Sequence, residues 1–94
     1  MPNFRLVFGR NIPNTRFSVS RSEIKKFLSN YSELANYSLI HGDGKYEHEE
    51  EEFSQLDIYD YPLELAQKIR RDYCREFNQK SVLLLELLDN FRML

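Results

Sequence analysis

Phe4-Arg-Leu-Val-Phe8 places an apolar residue at every second position, and Gly9 closes the run. A period of two marks a strand with one buried face, so Phe4, Leu6 and Phe8 point towards a core and Arg5 and Val7 away from it. The period then changes. Ser20-Arg-Ser-Glu23 has capping-box spacing, in which the serine oxygen takes a free helix amide and the glutamate returns to the cap. Ile24, Phe27, Leu28 and Tyr31 follow at i, i+3, i+4 and i+7, a helical stripe that leaves Lys25 and Lys26 towards water.

The same alternation of periods returns downstream. Tyr37-Ser-Leu-Ile40 reads as a second strand, Gly42-Asp-Gly44 as a hairpin tip and Phe53 to Tyr59 as a third strand. Tyr61-Pro62 opens a second helix, with proline in the first turn and Glu64 near the positive end of the dipole. Leu63, Ala66, Ile69, Tyr73 and Phe77 hold one face of it down to about Gln79. Ser81 to Leu87 fits either period. A strand is assigned because serine and valine begin the run and a helix would otherwise continue unbroken from Pro62. The order is then β-α-β-β-α-β, an α+β, ferredoxin-like chain with both helices on one face of a four-stranded antiparallel sheet.

At 94 residues the chain has room for one core. We expect a single domain over 1–94, with its core at about 4–88 and a short C-terminal tail at 89–94. Its single cysteine, Cys74, excludes an internal disulfide, so packing has to supply the stability, as in a reducing compartment. No apolar run approaches a membrane span or a signal segment, and the expected location is cytoplasmic. Net charge is −2, unevenly spread: residues 1–30 carry six basic side chains against one acid, and residues 31–66 carry one against ten. Such asymmetry can steer a charged partner.

In this topology strands 1 and 3 are central neighbours, so the end of the first lies beside the start of the third. Strand parity puts Arg10 on the face of Phe8, and Glu52 on the face of Ser54, which makes the two close partners. The end of the second helix reaches the same edge. A polar cluster of Arg10, Glu52, Arg70, Tyr73 and Gln79 is therefore the expected ligand or partner site. The plainer alternative is a structural ion pair with Arg70 snorkelling.

No catalytic constellation is present. His41 and His48 are the weak metal candidates, unsupported by any cysteine or His-x-x-x-His spacing, so no metal and no cofactor is expected. Cys74 has no histidine near it in sequence and reads as a core filler. Gly42-Asp-Gly-Lys45 joins two strands and does not precede a helix, unlike a phosphate loop. An RNA-recognition domain shares the element order, but strand 3 carries Asp57 where a basic, aromatic platform is needed, so nucleic acid is not an expected partner. On the open face, Val7, Phe53, Tyr59 and one set of strand 4 leucines form an apolar patch. It would be covered by self-association or by the tail from Leu87 to Leu94.

Several motifs together resemble a bacterial family of small proteins of unknown function. They are Phe8-Gly9-Arg10, the pair Phe27-Leu28, Gly44 with Tyr46 where the family prefers tryptophan, Glu52-Phe53-Ser54, and Tyr-x-x-x-Phe-x-Gln-x-Ser-Val-Leu from Tyr73 to Leu83. The resemblance spans about residues 5 to 85. The family's proline-rich loop before strand 2 is replaced by Tyr31-Ser-Glu-Leu-Ala35, and the export signals of many relatives are missing. The resemblance implies the fold and no established activity.

The expectation for function is a non-catalytic binding or regulatory module, a homodimer joined through its sheet, with an unknown protein or small-molecule partner and no membrane. The alternative is a small enzyme of the dimeric ferredoxin-like barrel kind, with a pocket between sheet and helices. An unpaired Arg10 or Tyr73 lining a pocket favours the enzyme, and a filled core favours the module.

Overall fold

The computed structural model describes residues 2–88, and the expected tail at 89–94 lies outside them. The elements are β1 Asn3–Gly9, α1 Arg21–Leu28, β2 Tyr37–Tyr46, β3 Glu49–Ile58, α2 Leu63–Glu76 and β4 Leu83–Leu87. The sheet order is β2-β3-β1-β4 with every neighbouring pair antiparallel, the ferredoxin-like α+β arrangement predicted from the periodicities.

Alternation in β1 sets the layers. Phe4, Leu6 and Phe8 are buried with Leu56 and Ile58 of β3 and with Ile24, Phe27, Ala66, Ile69 and Tyr73 of the helices. Each large apolar side chain removed from water contributes roughly 1.5–3 kcal/mol, so this layer dominates the stability. Ser20 caps α1 as the spacing predicts: its hydroxyl accepts from the Glu23 amide, and the Glu23 carboxylate accepts from the Ser20 amide.

The hairpin differs from the prediction. β2 and β3 pair over ten rungs from Tyr37↔Ile58 to Tyr46↔Glu49, so the turn lies at Glu47-His48 and Gly42-Asp-Gly44 runs inside β2. Glu47 and His48 have φ of 50° and 69°, the two positive values of a type I′ turn, whereas no glycine has positive φ. The glycines serve a different need. A Cβ at Gly42 would meet Phe53 Cζ at 2.8 Å, and one at Gly44 would meet the same ring at 3.6 Å. The aromatic ring of Phe53 lies over the bare β2 backbone, and β3 begins at Glu49, four residues before the predicted Phe53.

Two further boundaries move. α2 ends at Glu76, short of the predicted Gln79, because Asn78 turns left-handed at φ 53° and the Gln79 amide donates back to the Cys74 carbonyl at 3.0 Å. β4 begins at Leu83, two residues after the predicted Ser81, where its pairing with Val7 starts.

Candidate functional site

The end of β1, the β2–β3 hairpin and the end of α2 meet at one end of the sheet, and most of the predicted cluster gathers there. The Arg10 amide donates to the Glu52 carbonyl at 2.9 Å, and Arg10 Nη1 donates to the Val19 carbonyl at 3.2 Å. Arg10 Nη2 lies 3.7 Å from Glu52 Oε2, so the expected pairing is present. It is a lopsided pair: the Arg10 side chain is 6% exposed and that of Glu52 is 48% exposed. Arg10 Nε is buried with no acceptor among the described residues.

Tyr73 and Gln79 fasten the same strand end. Tyr73 Oη donates to the Gly9 carbonyl at 2.7 Å, while its ring stacks on Phe8 with centroids 4.3 Å apart. Burial pushes the Tyr73 hydroxyl well above the ordinary phenol range, and nearby Arg10 only partly opposes this. Gln79 Nε2 donates to the Asn11 carbonyl at 2.9 Å. Phe27 and Phe77 close over Tyr73, with ring centroids at 5.6 and 4.9 Å, so aromatic rings fill the space between sheet and helices here.

Arg70 goes elsewhere. It is half-buried on the side of α2 that faces the start of β4, in a groove with Cys74 and Lys80. It flanks the buried stripe of Ala66, Ile69 and Tyr73 on the side of the connection to β4. The two histidines also separate. His41 Nδ1 is 2.6 Å from Ser54 Oγ on the helix-facing side, and burial, then Arg10 and Arg21, lowers its pKa from the ordinary imidazole value. His48 sits at the turn, beyond the Tyr46↔Glu49 rung. At about 3.3 Å per strand residue the two rings stand on the order of 15 Å apart along the ladder. Among the described residues no group of three or more His, Cys, Asp or Glu is arranged to hold a metal ion.

A concavity on the opposite, open face was not anticipated. It holds about 780 Å³, with a floor of Val7, Gly9, Phe53 and Leu83 and a rim that includes Glu49, Glu51 and Gln79. Glu51 lies across Gly9, where any Cβ would collide with its carboxylate, and Gln79 Oε1 stands 3.5 Å from the same point. Glu51 is half-buried and makes no ion pair with a described residue. Strand parity was the available signal, since Glu51 shares the face of Phe53. The sequence reading followed that parity only for Glu52.

Comparison with solved structures finds a fold neighbour. The chain is similar to a phage SAM lyase solved in its apo state, with a TM-score of 0.66 and 15% sequence identity, over 98% of this chain and 92% of that one. The likeness is one of fold, and it runs through every element described above. No family model matches the chain, and no curated protein matches it.

The rest of the open face is apolar and salt-bridged by turns. Arg5 holds Asp57 with two parallel bonds of 2.8 and 3.0 Å, and that hydrogen bonding raises the Arg5 pKa further. Around the pair, Ile40, Leu83 and Leu85 are 55%, 56% and 43% exposed. None of the described helices is long and apolar enough to cross a membrane.

Proposed function

We propose that this chain is a small ligand-binding domain that self-associates through the open face of its sheet and takes a cationic, adenosyl-type ligand, S-adenosylmethionine, at the pocket over Phe53 and Glu51. The observation that carries the reading is Glu51: a half-buried carboxylate with no described cation paired to it, resting on Gly9 at the rim of an aromatic-floored concavity. A sulfonium centre is the kind of charge such a carboxylate attracts, and the flat face of Phe53 suits a stacked base. Its volume is that of a small-molecule site. The ligand class is taken from the SAM lyase that shares the fold across nearly the full length of both chains.

The expected polar cluster has a supporting part in this reading. Arg10, Tyr73 and Gln79 bond to Val19, Gly9 and Asn11 and hold the end of β1 in place, so that Gly9 presents a flat surface to Glu51. With aromatic rings filling the space between sheet and helices, a ligand has to bind on the outside of the sheet. A second copy laid on the apolar open face would roof the pocket, since Val7, Phe53 and Leu83 belong to both surfaces.

A second reading, that the domain cleaves the ligand, is favoured by the neighbour being a lyase. Calorimetric titration with S-adenosylmethionine separates the outcomes. Saturable binding is expected, weakened about tenfold or more by Glu51→Gln, and weaker for S-adenosylhomocysteine, whose sulfur is neutral. Absence of binding at millimolar ligand would sink the proposal. Chromatographic loss of S-adenosylmethionine on incubation with the protein alone would establish the lyase reading over plain binding.

A further inference from the structure

Four cations border one groove next to the open-face pocket. Arg70, Arg71 and Arg75 come from α2 and Lys80 from the connection to β4, and with Cys74 and Ser81 they enclose about 430 Å³. Among the described residues no carboxylate lines this groove, and none of the four cations is ion-paired.

Ordinary helix chemistry accounts for part of the cluster. Arg75 sits in the last turn, where a cation complements the helix dipole. The dipole does not call for Arg70 further up the helix, nor for Lys80 approaching from another segment. Arg71 and Arg75 are spaced i, i+4, a like-charge pair that repels. Two acids of α2 turn towards α1: Asp72 accepts the Tyr31 hydroxyl at 2.6 Å, and Glu76 lies in that same groove, which Lys68 and Arg75 also line. In a chain of net charge −2, Arg70, Arg71 and Lys80 border a groove that no described carboxylate lines, and Arg75 stands between it and the groove against α1. Arg70 is half-buried, and a guanidinium is the cation least penalised by losing water and best shaped for tetrahedral oxyanions.

We propose that the groove between the second half of α2 and the start of β4 binds a small, multiply charged phosphate ligand of the pyrophosphate class through Arg70, Arg71, Arg75 and Lys80. Two adjacent phosphoryl groups supply enough oxygens to engage cations arriving from both walls. Lys80 and Ser81 also line the open-face pocket, so the two sites adjoin, whereas Arg70, Arg71 and Arg75 line this groove and not that pocket.

Calorimetric titration with inorganic pyrophosphate at about 50 mM salt should give saturable binding that weakens as salt rises. The double variant Arg70→Ala/Arg75→Ala, checked for its fold by circular dichroism, should bind about tenfold more weakly or worse. Lys25→Ala/Lys26→Ala removes two cations from α1 and should leave the affinity unchanged. As an independent readout, saturating pyrophosphate should slow alkylation of Cys74, which lines the groove. Failure to saturate, equal affinity in the α2 double variant, an equal loss in the α1 variant, or equally tight binding of citrate would each overturn the proposal.

Discussion

Arg10 and Glu52 show how parity can be right about proximity and uninformative about energy. Strand alternation turns both side chains to the helix face, and the structure brings Nη2 to 3.7 Å from Oε2. Burial then divides their roles, because Arg10 is enclosed and bonded to Val19 whereas half of Glu52 remains in water. Removing Arg10 leaves a cavity and an unpaired carbonyl, so Arg10→Ala should destabilise by about 2 kcal/mol or more. Glu52→Gln removes a long, solvent-screened contact and should cost less than about 1 kcal/mol. Urea denaturation of the two variants checks the asymmetry, and equal losses would mean that the pair acts as a buried unit. Tyr73 belongs both to the apolar face of α2 and to the expected polar cluster, and its hydroxyl ties α2 to Gly9.

At the scale of elements, the β2–β3 hairpin separates local signals from longer-range ones. Gly-Asp-Gly is ordinary turn chemistry, yet the Phe53 ring needs those glycines in the strand, and the turn falls on Glu47-His48. Two side-chain-bearing residues in left-handed conformation are a local conflict that the ten-rung ladder imposes. The double substitution Glu47→Asn/His48→Gly supplies the dipeptide that such a turn favours and should therefore stabilise the fold by about 1 kcal/mol. A rise in the urea midpoint checks this, and a fall would show that the turn has another geometry. The α1 cap needed no such context, since Ser20 and Glu23 satisfy each other within four residues. The end of α2 was less legible because left-handed Asn78, in place of a more obvious glycine, stops it.

For the whole molecule, the two faces of the sheet carry different chemistry. The helix face is closed by aromatic packing, while the open face shows Ile40, Leu83 and Leu85 around the Arg5–Asp57 pair. If copies associate there, Ile40→Lys/Leu85→Lys should shift the sedimentation coefficient to that of an 11.3 kDa monomer with the circular dichroism spectrum unchanged. A wild-type chain that is already monomeric at high concentration would reject the association.

The sequence by itself determined the order of elements, the parity of each strand and the capped start of α1, because these depend on periods of 2 and 3.6 and on contacts a few residues apart. It also placed Arg10 beside Glu52, since parity and strand order are enough for that. Tertiary structure decided where the hairpin turns, which way Arg70 leaves α2, and that Glu51 lies over Gly9 beside Phe53. Each of these depends on a side chain meeting backbone from a distant segment, and no local period records such a meeting.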